Sequence, residues 1–466
     1  MRLALASYAS SKVVPLGMLY LASALRRAGH EVQWHEASSA SELIRGLRER
    51  HAQVVGFGAS TGMHTLYLDW ARRIRDELGI PILFGGPHPT FVPDMVHHAA
   101  VDAIFIGESE KSIVEYLDMA SEGRWGTPVS GVWYKQPGDQ KNRELIKGPV
   151  RAPPLELDTL PWPALDLVYD RYPARGRYGV KPFMASRGCA YRCTYCANAA
   201  YLSLYGREVP ALRLRSPARV IDEIRWVKRT WGLRLAWLAD ASLLTEPQWA
   251  AELVSRIRAD VRVPFFCKVR PDHIDGAAAK MLGQAGCFAV GLGVESGDPA
   301  IRRRVLGRPI ADETIERACH LLHEAGVRVL TFNMLGIPTE SWESALATLD
   351  LNIRCRADYA EAMLLQPYPG TPIATWAKRK GHYDGNHDHI DYSYLSVSPF
   401  HYQDESLRDR LERLQQLFAL AVEFPEVRRV LPRLVERRSK RLYDALFRVW
   451  YHVGFGTRVH ALGRWR

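Results

Sequence analysis

Two rounds of strand–helix alternation constrain this chain more than any other feature of its sequence. Short apolar runs at 2–7, 31–35, 54–58, 80–84 and 103–106 alternate with amphipathic stretches at 16–27, 40–50, 66–78 and 109–120. Such alternation, with short turns, predicts a doubly wound parallel sheet. A second round predicts strands at 182–186, 233–238, 263–268, 288–294, 328–333 and 359–365. Helices are expected between them at 217–230, 246–259, 276–283, 311–324 and 340–356. Six strand–helix units are too few for a closed eightfold barrel. In both kinds of sheet, ligands bind at the carboxyl ends of the strands.

The 466 residues suffice for two or three domains with cores of their own. Residues 1–180 contain no cysteine, and three of the seven cysteines are clustered, a usage that fits a reducing compartment. The opening Met-Arg-Leu-Ala-Leu-Ala reads as a first strand, not as a signal-peptide core. No run approaches the roughly 18 apolar residues of a membrane span. These features predict a cytoplasmic protein. The net charge of +11 is concentrated at the end, where 428–466 holds eleven Lys/Arg against two Asp/Glu. The rest of the chain therefore lacks the basic surface expected of a nucleic-acid binder.

The three clustered cysteines follow the first strand of the second round, in Lys181-Pro-Phe-Met-Ala-Ser-Arg-Gly-Cys189-Ala-Tyr-Arg-Cys193-Thr-Tyr-Cys196. Thiolates at C-x3-C-x2-C spacing can hold three irons of a four-iron cluster and leave the fourth without a protein ligand. That iron can bind a substrate or a second cofactor. A structural zinc wants four ligands in paired C-x2-C knuckles, and no second pair is present. The odd cysteine count argues against disulfides. Cys267, Cys287, Cys319 and Cys355 lie in or beside expected strands and helices and read as buried thiols, with Cys267 nearest a strand end.

The turns at the strand ends of the first round are Pro15-Leu-Gly17-Met-Leu-Tyr-Leu-Ala, Gly58-Ala-Ser60-Thr61, Gly85-Gly86-Pro-His-Pro and Gly107-Glu108-Ser-Glu. Glycines there let a bulky ligand approach the backbone. No G-x-G-x-x-G follows the first strand, which disfavours a dinucleotide.

The cysteine triad, with Tyr195 just before its last member, resembles the radical S-adenosylmethionine (SAM) superfamily. The turns of the first round resemble the cobalamin-binding domain that precedes the radical SAM domain in one branch of it. The resemblance implies an α/β chain: an N-terminal doubly wound parallel sheet of the cobalamin-binding type, a partial (β/α)6 radical SAM barrel, and a helical C-terminal region. The expected divisions are 1–125 for the cobalamin-binding domain, 126–180 for a linker with a hairpin, 181–370 for the barrel and 371–466 for a basic, mostly helical region. A [4Fe-4S] cluster on Cys189, Cys193 and Cys196, SAM and cobalamin are the implied cofactors.

For SAM, the pattern Gly291-Leu-Gly293-Val-Glu295-Ser-Gly297 resembles the family's G-x-E-S-G and makes Glu295 a ribose contact, with small residues such as Gly293 giving the nucleoside room. The segment Asn333-Met-Leu-Gly336-Ile337-Pro-Thr-Glu340 resembles the adenine-contacting segment, through backbone groups at Gly336 and Ile337. Asp240 ends the second strand, where relatives often carry paired acids; the resemblance offers it for the SAM amino group, but here Ala241 follows it in place of a second acid. Arg270 faces either the SAM carboxylate or an acid on the rim. The turn 366–372 resembles the P-x-P-G-T turn of the cobalamin-linked branch.

For cobalamin, the resemblance implicates Pro15, Gly17, Ser60, Thr61, Gly85, Gly86 and Glu108. The D-x-H-x-x-G motif of His-coordinating cobalamin proteins is absent, and Tyr8-Ala-Ser-Ser-Lys-Val stands in its place, so no cobalt ligand is expected from that loop. His64 could reach the metal; a helix-start surface histidine is the competing reading.

The implied chemistry is cleavage of SAM to a 5′-deoxyadenosyl radical, hydrogen abstraction from an unactivated carbon, and methyl transfer from methylcobalamin to a small molecule or natural-product intermediate. The alternative is a cyclase or rearrangement enzyme without methyl transfer, acting on a tetrapyrrole or a lipid. An RNA-modifying enzyme is a third reading, opposed by the cysteine-free N-terminal part. Expected partners are a small-molecule substrate and an electron donor such as flavodoxin or ferredoxin, with no nucleic acid. The polar, His-rich stretch 382–389 reads as a metal site or as a loop over the barrel mouth. The basic, aromatic tail from Arg428 through Phe455 reads as peripheral membrane contact or as helices packed on the barrel.

Overall fold

The computed structural model of the chain describes residues 1–9, 14–138, 143–393, 395, 397–402, 404–436 and 440–450. They form two compact units. The first comprises Met1–Arg175, Ala200–Pro210 and His387–Tyr392; the second comprises Gly176–Ala199, Ala211–Asn386 and Ser393–Arg466.

The first unit is built on strands β1 (Arg2–Tyr8), β2 (Glu31–Ala37), β3 (Val54–Gly58), β4 (Ile82–Gly85), β5 (Ala103–Phe105), β6 (Val132–Lys135) and β7 (Leu145–Lys147). They lie in the order β2-β1-β3-β4-β5-β6-β7. The first five are parallel, and β6 and β7 add an antiparallel hairpin at the β5 edge. Strand order reverses between β1 and β3, which is where a doubly wound sheet opens a ligand crevice. Near-continuous apolar strands are what a sheet covered on both faces requires. On one face Val55, Phe57, Phe84 and Ile104 pack against Leu43, Ile44 and Leu47 of the Ala40–Glu49 helix and Trp70, Ala71 and Ile74 of the His64–Leu78 helix. The hairpin is pinned by buried Asp102, which accepts from Ile82 N at 2.7 Å and from Arg143 Nη1 at 2.6 Å and also pairs with Arg75.

The second unit holds a six-stranded parallel sheet formed by β8 (Val180–Phe183), β11 (Leu235–Leu238), β12 (Phe265–Val269), β13 (Cys287–Glu295), β14 (Arg328–Leu335) and β15 (Tyr359–Leu364). Strand follows strand in chain order, each after a helix, which is the open partial barrel that six units can make. Between its first two strands, β9 (Ser186–Gly188) and β10 (Leu212–Leu214) form a short antiparallel ribbon. The expected strand 182–186 is thus broken: the chain leaves the barrel sheet after Phe183 and enters the ribbon at Ser186.

At the other end of the sheet, the Glu405–Glu423 helix covers β15. Its Leu411, Leu414, Leu417 and Phe418 share a core with Ala360, Ala362 and Leu364, and Gln415 Nε2 donates to Ala362 O at 2.9 Å. That is how an edge strand is kept from pairing with another chain. The basic tail contributes Leu431, Val435 and Tyr443 to the same core. Its described part therefore packs as helices at Val427–Val435 and Lys440–Trp450, while Phe455 lies outside the described residues. No helix among the described residues is long and apolar enough to cross a membrane.

Candidate functional site

In the second unit the ribbon aims the cysteine loop. Gly188 sits at φ +88°, and a Cβ there would collide with the Ala211 carbonyl. The same carbonyl accepts the Cys189 N–H at 2.9 Å. The loop is then stitched to the 301–308 segment: Thr194 N–H donates to Leu306 O at 3.1 Å, and Thr194 Oγ1 to Val305 O at 2.6 Å. Tyr191 carries the Arg270 guanidinium 3.6 Å above its ring and hydrogen-bonds His273 through its hydroxyl.

The three thiols face one another closely enough to interact. Burial pushes the Cys189 and Cys196 thiols up, and each is raised further by Cys193. Among the described residues, no group of three His, Cys, Asp or Glu side chains could hold a metal ion. A four-iron cluster that takes one thiolate on each of three irons fits the donor set of the three thiols. Arg270 and Arg308 each place Nη1 4.0 Å from Cys193 Sγ, so two guanidiniums stand ready to balance thiolate charge. The other four cysteines are buried, as expected.

Glu295 ends β13 beside this loop. It is buried, with its backbone at φ +69°, a conformation uncommon outside glycine. Tyr195 Oη donates to Glu295 Oε1 at 2.9 Å, and Arg308 Nη1 lies 3.9 Å from the same oxygen. Burial raises the Glu295 carboxyl, and Arg308 is the largest influence opposing it. Arg308 also donates to Gly293 O at 2.7 Å, and a Cβ on Gly293 would strike the Glu295 carboxylate. Arg308 was missed by sequence reasoning. It sits in the run Arg302-Arg-Arg-Val-Leu-Gly-Arg308-Pro, which looks like a solvated basic stretch. Only the π-helical turn at Ile301–Val305 and Gly307 at φ +64° fold it back onto Glu295.

Other expected contacts differ in role. The Asn333 side chain is fully buried and joined to Asn352, Thr331 and the Glu361 carbonyl. It faces the Trp342–Arg354 helix layer, and both ends of its amide are engaged there, so the cofactor contact expected of it does not arise from this side chain. The backbone N–H groups of Gly336 and Ile337 donate to Glu340 Oε2 at 2.6 and 3.3 Å. The two amides expected to meet adenine are capped from within the chain, and burial pushes the Glu340 carboxyl up to about 8. Arg270 is clamped by Asp272, with Nε and Nη2 donating at 3.0 and 2.8 Å, which realises the rim-acid reading. Asp240 Oδ1 braces the entry to the ribbon by accepting from Ala185 N at 3.1 Å and Ser186 Oγ at 2.5 Å, while its buried Oδ2 has no hydrogen-bond partner among the described residues.

One face of the barrel sheet carries Trp237, Phe266, Lys268, Gly291, Phe332 and Glu361 in neighbouring registers. A Cβ at Gly291 would meet Phe332, Phe266 and Lys268 together, so the aromatic rings close over the glycine.

The first unit gathers its expected residues on two turns. After β3, Ser60 is exposed and Thr61 is buried, with Thr61 Oγ1 3.0 Å from His88 Nδ1. After β4, Gly86 takes φ +97°, and a Cβ there would lie 2.9 Å from the Ala59 carbonyl oxygen. The two turns are welded by Ala59 N to Gly85 O at 2.8 Å and His88 N to Ala59 O at 3.0 Å. Gly86 thus has a packing reason beside any ligand, whereas Gly85 keeps a half-exposed surface. Gly17, exposed, and Pro15 start the Leu16–Arg27 helix. Glu108 N–H donates to Tyr205 Oη at 2.7 Å. The loop residues 10–13 lie outside the described residues.

His64 is not the surface residue expected. It is 2 % exposed and stacks on His88 with ring centroids 3.7 Å apart. Gly62 N–H donates to His64 Nδ1 at 3.1 Å, so the proton is on Nε2, which faces Asp388 Oδ1 at 2.9 Å. Neither nitrogen has a lone pair left for cobalt. The His-rich stretch 382–389 divides: residues up to Asn386 belong to the second unit, and His387–His389 join the first unit with the residues that follow, to Tyr392.

Residues 184–351 match the family model of the radical SAM superfamily, and residues 2–117 match that of the B12 binding domain. An uncharacterized methyltransferase of Pyrococcus horikoshii is 28% identical over 375 residues, covering 78% of each chain. The anaerobic magnesium-protoporphyrin IX monomethyl ester cyclase of Synechocystis is 24% identical over 62% of this chain and 58% of its own. The structure of the radical SAM methyltransferase TsrM from Kitasatospora setae, with cobalamin and [4Fe-4S] cluster bound, shares the fold at a TM-score of 0.65 and 21% identity, covering 81% of this chain and 78% of that one.

Proposed function

We propose, for a chain that belongs to the cobalamin-dependent radical SAM family, methyl transfer to an unactivated carbon of a small molecule. The observation that carries the reading is the meeting of Cys193, Tyr195, Glu295 and Arg308 at one strand end, in a chain that also has a B12-binding domain. When bound, the cluster with SAM supplies a carbon radical, and cobalamin supplies a methyl group; the protein supplies position and a dry surface.

Cys189, Cys193 and Cys196 would hold the cluster. Glu295 would accept ribose hydroxyls through Oε2, since Tyr195 holds Oε1 at 2.9 Å. Arg308 opposes the effect of burial on that carboxyl. Arg270, held by Asp272, fixes the loop through Tyr191 and Cys193. Asp240 Oδ2 remains a candidate for the SAM amino group. Trp237, Phe266 and Phe332 would exclude water from the substrate, and Lys268 and Glu361 would orient it by charge. The turns bearing Ser60, Thr61, Gly85, Gly86, Glu108, Pro15 and Gly17 are the proposed cobalamin surface. A flavodoxin or ferredoxin would deliver electrons.

The cyclase reading keeps a supporting observation in the Synechocystis relative. Product mass separates the two. Anaerobic turnover of candidate substrates with SAM should give a product one methyl heavier, together with 5′-deoxyadenosine and S-adenosylhomocysteine. 5′-Deoxyadenosine with an unmethylated, oxidised product would favour the cyclase.

A further inference from the structure

The segment His387–Tyr392 is a short 3₁₀ turn and its flank, drawn from far along the chain into the first unit. We propose that it is a strap that fixes the cofactor-facing turn after β3, with Asp388 as a positioning residue that acts through His64. The proposal rests on the reading that cobalamin lies against the 59–64 and 85–90 turns.

Contacts at Asp388 and Asp391 help to seat the strap. Asp388 Oδ1 accepts the Nε2–H of His64 at 2.9 Å. Gly62, at φ +96°, leaves the strap backbone room: a Cβ there would lie 2.6 Å from the Asp391 carbonyl oxygen. The Asp388 side chain is 71 % exposed, so its charge alone contributes little in water. Its importance is directional. It gives an acceptor to the N–H of a buried ring whose other nitrogen is already used by Gly62.

From His64 the constraint passes inward. The ring lies on His88 at 3.7 Å, His88 meets the Thr61 hydroxyl at 3.0 Å, and the His88 N–H closes on Ala59. Burial, with His64 and His387 nearby, pushes the His88 imidazole down to about 3, while Asp388 opposes that shift. The His88 ring of the stack is therefore neutral at ordinary pH. Every link joins side chains or backbone of the two turns that the family resemblance assigns to the cofactor. Removing the strap should loosen both turns without touching the cysteine loop.

The test uses the full chain with its cluster reconstituted, titrated anaerobically with hydroxocobalamin and read by visible absorbance. Asp388→Ala should bind about threefold more weakly, and replacement of residues 387–392 by six Gly/Ser residues about tenfold, because preorganisation of the turns is lost. Asp388→Asn, which keeps an acceptor oxygen, should bind like the parent. In cofactor-free protein, amide exchange over 60–66 should accelerate in the first two variants and not in the third. Iron content should be equal in all. Unchanged affinity together with unchanged exchange in the strap replacement would overturn the proposal. A parent chain that takes up no hydroxocobalamin would sink the cobalamin reading, and the exchange result would still decide whether the strap fixes the turn.

Discussion

At the residue scale, Glu295 gathers the polar contacts at the end of β13. A buried carboxylate at φ +69° is retained with a tyrosine hydroxyl on one oxygen and a guanidinium beside it. Arg308→Met removes that cation from a buried pair, which costs about 3 kcal/mol or more. We expect SAM affinity, measured by equilibrium dialysis, to fall about tenfold. Glu340 offers a pH test. Its carboxyl is raised from 4.5 to about 8, chiefly by burial. Between those two values the folded chain keeps a proton that the unfolded chain releases, so stability falls as pH rises through that window. Glu340→Gln removes the slope: its melting temperature should match the parent near pH 5 and exceed it near pH 8.5, by about 2–4 °C for each kcal/mol. The cysteine cluster and the pattern around Glu295 can be picked out of the sequence because their spacing is local. Arg308 cannot, since its role depends on a backbone reversal through Gly307. The side-chain partners of Asn333 were not readable, because strand parity decides which face it takes, and an expected boundary does not fix that.

At the scale of elements, the alternation of apolar runs and amphipathic stretches gave both sheets, since burial on both faces dictates that pattern. The β9–β10 ribbon was hidden. It is three residues on each side, too short for a periodic signal. Yet it aims the cysteine loop through Gly188. Gly188→Ala should cost about 1–3 kcal/mol of backbone strain, and the Ala211 carbonyl leaves its Cβ no room. We expect lower iron per chain after reconstitution, with the first unit still able to take up hydroxocobalamin. The strap at 387–392 was equally illegible, because a contact between His64 and Asp388 spans most of the chain and leaves no local trace.

For the whole molecule, the tail posed the sharpest choice. Basic residues and aromatics fit either a membrane surface or a packed helix, and the sequence does not say what covers the apolar face. The fold places Leu431, Val435 and Tyr443 in the core that covers β15. Leu431→Ala should therefore cost about 2–4 kcal/mol, seen as a lower melting temperature in the absence of any lipid. The central claim, however, is that one chain couples a SAM-derived methyl group to a bound corrin. It is tested most directly by incubating the reduced, cluster-reconstituted protein with hydroxocobalamin and SAM labelled in its methyl group, then extracting the corrin. Label on the corrin and an equal amount of S-adenosylhomocysteine are expected; a corrin that binds tightly yet stays unlabelled would rule out methyl transfer through cobalamin.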